Sequence, residues 1–162
     1  MPLRPASKDD HAWLLALVNR PEVVGSLAVG ADATLIAALD RTDAGADDEG
    51  ALVVQSEHGE RVGVVCWKTH YRRSRIAGIH TLIIDPAARG HGYATTALRE
   101  IVHHLLDERD FHRIEAGTYG FNRSARHAFQ AAGFIQEGIH RRAYDRHGAW
   151  QDGVIFGLVA DD

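Results

Sequence analysis

Between Arg89 and Thr95 the chain reads Arg-Gly-His-Gly-Tyr-Ala-Thr, with small residues at 90, 92 and 94. Small residues let backbone N–H groups come close to an anion, and a helix that starts at once adds partial positive charge. The chemistry this suits is the binding of a phosphate or diphosphate. Ahead of the turn, Leu82, Ile83 and Ile84 read as the end of a buried strand. Asp85 and Pro86 stop it, because proline cannot donate to a sheet ladder. Behind the turn, Tyr93, Ala94, Ala97, Leu98, Ile101, Val102, Leu105 and Leu106 recur in pairs about four residues apart, the stripe of a helix with one buried face. Neither common phosphate signature is complete. No Gly-x-x-x-x-Gly-Lys-Ser/Thr run exists, and a G-x-G-x-x-G fingerprint opening at Gly90 and Gly92 meets Thr95 at its third glycine. Taken alone, the turn fits either a phosphate cradle or a tight strand-to-helix turn that binds nothing.

The elements that must position this turn follow from periodicity and capping. Residues 2–6 suggest a short first strand. Ser7-x-x-Asp10 is a capping-box variant, and Trp13, Leu14, Leu17 and Val18 give the next helix its apolar face, with Pro21 ending it. Residues 22–39 suggest a broken, mostly helical segment. Residues 40–50, with four Asp and one Glu, suggest a polar loop, either solvated or suited to a cationic substrate. Residues 51–56 and 61–69 are strand-like and joined around His58-Gly59, a hairpin signal, and 75–84 form the strand that ends in the glycine turn. After a helix over about 93–108, Arg113 to Thr118 is the next strand, so a right-handed crossover and a parallel strand pair are expected. Asn122 suits a helix N-cap, Ala125, Ala128, Phe129 and Ala132 form that helix's inner face, and Gly133 is placed to end it. Residues 134–144 and 150–159 read as a final hairpin. The expected fold is α+β: one domain over 1–162 with a central mixed, mostly antiparallel sheet and flanking helices.

Composition narrows the function classes. A chain of 162 residues with 45% apolar residues suits one soluble domain with a sizeable core. Its formal net charge of −4 gives no general attraction to nucleic acid or to an anionic membrane. No run of eighteen apolar residues exists, and Arg4, Lys8, Asp9 and Asp10 stand where a signal peptide needs an apolar segment, so a cytoplasmic location is expected. Cys66 is alone and lies in an apolar run, where packing is the expected role. Eleven histidines raise the question of a metal, but no His-Glu-x-x-His and no Cys/His cluster with ligand spacing occurs, so no metal is expected.

Arg89-x-x-Gly92-x-Ala94 resembles the Arg/Gln-x-x-Gly-x-Gly/Ala signature of the GNAT superfamily of acetyl-CoA-dependent N-acetyltransferases, and Leu82-x-Ile84-x-Pro86 resembles the strand that carries that loop. Asn122-x-x-Ala125, Phe129 and Gly133-Phe134 resemble the family's second motif. Leu3-Arg4-Pro5 and Arg142…Gly148…Trp150-x-Asp152 resemble the branch that includes ribosomal-protein N-terminal acetyltransferases. The resemblance implies a fold in which the two parallel strands splay apart near 84 and 117 and admit the pantetheine arm of the cofactor. It also implies acetyl-CoA as donor and a primary amine as acceptor, a peptide N-terminus or a small amine. In such a site Leu82, Ile83 and Ile84 border the arm, and Arg89, Gly90, His91, Gly92, Tyr93, Ala94 and Thr95 grip the diphosphate. Asn122 hydrogen-bonds the arm while capping its helix, and Phe129 packs against it. The oxyanion donor is the backbone N–H of Ile84.

The base is open. His80 lies four residues before Ile84, on one strand face by period two, and either serves proton transfer or is a partly buried histidine satisfied by its surroundings. Glu115 on the partner strand is the second candidate, with an ion pair to Arg113 as its alternative; it shares a face with Gly117, where some relatives keep a polar group. An α-amine titrating near ~8 is about a tenth neutral at neutral pH, against under about a thousandth for a lysine near ~10.4, so a weak base suits an α-amine better. The family's tyrosine, which protonates the departing thiolate, is replaced here by Phe129; Tyr119, Ser124 or a water are substitutes, and loss of catalysis is the rival reading. Arg141, Arg142 and Tyr144 begin the last hairpin and either border the acceptor or lie on the surface. An exposed final hairpin also makes a homodimer an expectation.

Overall fold

Four consecutive residues, Val64 to Trp67, are at most 1% exposed, so the strand that carries them is covered on both faces. That strand, β3 (Arg61–Tyr71), belongs to a seven-stranded sheet with β1 (Leu3–Pro5), β2 (Glu49–Gln55), β4 (Ile76–Ile84), β5 (Arg113–Tyr119), β6 (Ile135–Arg146) and β7 (Ala149–Val159), ordered β1-β2-β3-β4-β5-β7-β6. In the computed structural model, which describes residues 2–162, all neighbours pair antiparallel except β4 and β5, which are parallel. Alternation on β3 sends Val65 and Trp67 to one face, Val64 and Cys66 to the other. The first face meets α4 (Tyr93–His103) and α5 (Arg123–Ala131) through Leu98, Ile101, Ala128 and Phe129. The second meets α1 (His11–Val18), α2 (Pro21–Val24) and α3 (Ala31–Asp43) through Leu14, Leu17, Val23, Leu35 and Leu39. Leu98, Ile101 and Leu105 are wholly buried, each worth about 2 kcal/mol of transfer free energy. They hold the crossover helix against β3 and β4, and with it the glycine turn at its start.

Three boundaries differ from the sequence reading. Helix α1 stops at Val18, and Pro21 opens α2 instead of ending α1, at a position where its missing N–H is no loss. The acidic segment 40–50 is not all loop: α3 runs to Asp43 and β2 starts at Glu49. Thr42 joins the two, donating to the Ala38 carbonyl and accepting from the Ala51 N–H, each at 2.8 Å. The last hairpin is longer than expected, with a turn only at His147-Gly148. At the other end of the sheet, Asp10 is 2% exposed and accepts from Arg4 at 2.7 and 2.9 Å and from the Ser7 N–H at 2.9 Å. The Arg4 guanidinium holds that carboxyl far below the usual carboxylate range, against the opposing pull of burial. Strand β6 is a free edge with Ile135 and Ile139 exposed. Among the described residues no helix is long and apolar enough to cross a membrane, and no group of three or more His, Cys, Asp or Glu is placed to hold a metal ion.

Candidate active site

One extra residue in β4 shapes the centre of the sheet. From Ile84 back to Thr81, β4 runs in step with β3, Thr81 lying opposite Cys66; the next pair is Ile79 opposite Trp67. His80 is left without a partner, a bulge. On the other side, β4 pairs with β5 only from Ile76 to Ile79, against Arg113 to Ala116. Past the bulge the two parallel strands part, as the resemblance implied, but on β4 they do so from Ile79 and not near 84; on β5 they part after Ala116, close to the expected 117. The opening is a cavity of about 230 Å³, walled by His80, Thr81 and Leu82 on one side, by Gly117, Thr118 and Tyr119 on the other, and floored by Asn122, Ala125 and Phe129.

The backbone of β4 faces this opening. The Asp85 N–H donates to the Val62 carbonyl at 2.7 Å. Strict alternation then directs Ile83 and Thr81 toward β3, and Leu82 and Ile84 away from it, toward the parted edge. Leu82 borders the cavity and Ile84 lies beyond it, toward the glycine turn. Ile83 is a correction to the sequence reading: its side chain is 3% exposed in the core beneath α1 and α3, so it is a packing residue.

His80 sits in the cavity wall. Its Nδ1 lies 3.0 Å from Thr81 Oγ1, and its Nε2 is buried with no partner among the described residues. Burial first, then the positive charges of Lys68 and His70, push its pKa down to about 4, so it is a neutral imidazole over the ordinary pH range. The bulge breaks the period-two argument that put His80 and Ile84 on one face. Glu115 goes elsewhere: it lies 3.1 Å from both Arg113 and His70 and does not line the cavity. Burial raises its pKa, but hydrogen bonds from His70 and Arg113 outweigh that and leave it below the ordinary value. The ion-pair alternative for Glu115 is the arrangement found.

The turn has the geometry its glycines suggested. Gly90 and Gly92 have φ of 85° and 76°, the left-handed region, and Gly92 caps α4. Among the described residues, the N–H groups of Gly90 through Thr95 have no acceptor, so six amides at a helix start are available to an anion. This is what a diphosphate requires. His91 braces the turn, its Nδ1 3.1 Å from the carbonyls of both Ala88 and Arg89. The Tyr93 hydroxyl points away to Glu57 at 3.0 Å, which leaves its backbone, not its phenol, for a ligand. Arg89 and Ala94 flank this run, Arg89 exposed and Ala94 packed against the core.

On α5, Asn122 Oδ1 accepts from the Ala125 N–H at 3.1 Å, which caps the helix and turns the residue into the cavity wall. Phe129 is 4% exposed, with ring centroids 5.2 Å from Phe134 and from Phe156, and its edge reaches the cavity. Ser124 is exposed and outside it; Tyr119 and Tyr144 are the two phenols that line it. Arg141 and Arg142 are exposed in an irregular stretch of β6, away from the cavity. One wall carries no sequence signal, while Tyr144, offered with Arg141 and Arg142, is where the last hairpin meets the cavity. Ser26, Leu27 and Ala28, after α2, form an outer wall but carry no motif. Tyr144 reaches the cavity because its ring lies over Gly153, where a Cβ would stand 2.4 Å away.

Residues 30–134 match the model of the family described as Acetyltransferase (GNAT) family. The chain is similar to the probable N-acetyltransferase YjcK of Bacillus subtilis (strain 168), 34% identical over 79 residues, 49% of this chain and 44% of that one. Matches to the curated relatives span only 44% to 64% of those relatives' own lengths. In fold it is similar to the spermidine N-acetyltransferase of Vibrio cholerae in complex with CoA and spermine, with TM-score 0.82, 20% identity, and coverage of 98% of this chain and 95% of that one. It is also similar to the ribosomal-protein-S5-alanine acetyltransferase of Vibrio fischeri, with TM-score 0.81, 17% identity, and coverage of 99% and 93%. The family match contains both the glycine turn and the Asn122 helix, the two features that frame the cavity, and the chain belongs to the acetyltransferase (GNAT) family.

Proposed function

We propose that this chain transfers an acetyl group from acetyl-CoA to a primary amine, and that the amine is the α-amine of a peptide or protein. The observation that carries the reading is one line of groups along β4: an unpartnered imidazole nitrogen at His80, outward N–H groups at Leu82 and Ile84, then six free amides from Gly90 to Thr95. Acetyl-CoA supplies an activated acetyl thioester. The Gly90–Thr95 amides hold its diphosphate, the parted edge of β4 pairs with its arm as an added strand, and Asn122 and Phe129 border that arm. The N–H groups of Leu82, which lines the cavity, and of Ile84, beyond it, lie on the parted edge of β4, and an N–H there would stabilise the negative charge that develops on the carbonyl oxygen.

His80 decides which amine is practical. Its low pKa makes it a poor base toward a free ammonium, so the amine must arrive neutral. About a tenth of an α-amine is neutral at pH 7, against under about a thousandth of a lysine amine. As the amine nitrogen bonds to the carbonyl carbon it becomes strongly acidic, and Nε2 of His80 takes its proton then. The C–S bond breaks with the electron pair on sulfur. Phe129 offers no proton; a thiol near ~8.5 leaves without one, and the phenols in the cavity are Tyr119 and Tyr144. Phe129 also favours a second reading, a CoA-binding module without catalysis. Thiol release from acetyl-CoA over a panel of peptides and small amines, with calorimetry of acetyl-CoA binding, separates the two. Saturable binding with no thiol release on any acceptor selects the module, and no binding refutes both.

A further inference from the structure

Among the described residues no carboxylate lines the cavity; its polar side chains are hydroxyls, the Asn122 amide and the His80 imidazole. A polycationic acceptor would lose hydration at each ammonium with no anion there to replace it. A cation, Arg146, stands beside the cavity's aromatic wall. The Arg146 guanidinium carbon lies 5.5 Å from the ring centroid of Tyr119, a cavity residue. Its Nη2 donates to the Val24 carbonyl at 2.6 Å, which pins the β6–β7 hairpin to α2. That is its one hydrogen bond to protein among the described residues, and a guanidinium carries five N–H donors. Arg146 lines two grooves, one with Phe121 and Gln151, the other with Leu27 and Ala28, which belong to the cavity wall as well. The carboxylates nearest in sequence each accept one backbone N–H, Asp145 from Gly148 at 2.8 Å and Asp152 from Arg142 at 2.7 Å, and neither bonds Arg146 among the described residues. Asp32, in the second groove, accepts from the Ala33 N–H at 2.9 Å.

Resting on the acetyl-transfer reading above, we propose that the acceptor is a monoamine that also bears a carboxylate, the amine lying at His80 and the carboxylate on the free edge of Arg146, and that polyamines are excluded. A planar guanidinium with donors to spare matches a carboxylate in a two-pronged pair. The carboxylate belongs either to a free amino acid or to an acidic side chain close behind a peptide N-terminus.

The test compares, by thiol release, an Ala-Asp peptide, its Ala-Asn counterpart, free alanine and spermidine, in the wild type and in Arg146→Gln and Arg146→Glu. The wild type should favour Ala-Asp over Ala-Asn at least about tenfold in kcat/KM, the worth of one charge-assisted pair, and should not turn over spermidine. Arg146→Gln should bring the ratio near one, and Arg146→Glu should invert it. Turnover of free alanine without either peptide assigns the carboxylate to the amino acid itself. A wild-type ratio near one with no turnover of free alanine, a ratio that survives Arg146→Gln, or efficient turnover of spermidine overturns the proposal. If no acceptor releases thiol, acetyl transfer fails by itself. Equilibrium binding of the four ligands to the wild type, which needs no folded variant, still reads the charge preference: equal affinity for the two peptides together with no binding of free alanine overturns it.

Discussion

Acid should destabilise this protein through His80, and the size of the effect can be worked out. In the fold its pKa is about 4, because burial and the charges of Lys68 and His70 disfavour the imidazolium; in the unfolded chain it is about 6.5. At pH 7.5 both states are neutral. As the pH falls, the unfolded state takes up a proton first, so stability present above about 6.5 is lost through the window down to about 4. Integrated from pH 7.5 to 4.5, the loss is about 2.5 kcal/mol, which for a chain of this length is a fall in Tm of roughly 5–10 °C. Urea unfolding of the wild type and His80→Gln at both pH values isolates it, because the other histidines and the carboxylates titrate in both proteins. The variant should lose about 2.5 kcal/mol less than the wild type between the two conditions. Equal losses would show that His80 is solvated, and the argument for a neutral imidazole in the cavity would go with them.

Gly92→Val places a β-branched residue at φ 76°. With no atom within 4 Å of the new Cβ, the strain is all in the backbone, and the acetyl-CoA dissociation constant measured by calorimetry should rise by about tenfold or more. Glu115→Gln should leave both limbs of the kcat pH profile in place, since Glu115 is held by Arg113 and His70 outside the cavity; its stability cost by urea unfolding should be below about 1 kcal/mol. Asp10→Asn, at a carboxylate that closes the start of the chain onto Arg4 and Ser7, should cost about 2–3 kcal/mol by the same measurement.

The glycine turn was legible in the sequence because a left-handed φ leaves a mark on composition, and Gly90 and Gly92 are that mark. The crossover helix was legible because burial repeats with its period. His80 was visible as a histidine near the right strand, but its function in the strand was not. Nothing in Ile79-His80-Thr81-Leu82 shows which residue the partner strand skips, since register is a property of two strands. Glu115 misled for the same reason. Its partner His70 comes from β3, across β4, and lies flat over Gly78, where a Cβ would meet the ring at 2.0 Å. Arg146 was silent because its contact with Val24 joins segments 122 residues apart.

The bulge at His80 ties the chemistry to the fold. The β4–β5 ladder ends at Ile79 and Ala116, next to the bulge, and the N–H groups of Leu82 and Ile84 lie outside it. The same extra residue carries the imidazole, set into the wall it opens, with one nitrogen on Thr81 and the other without a partner. An unpartnered buried nitrogen is a cost in stability. It is tolerable because a neutral imidazole loses far less on burial than a charged one. The acid sensitivity is therefore the thermodynamic trace of the bulge residue, and a chain lacking the bulge should lose the acid sensitivity and the proposed acetyl-CoA site together.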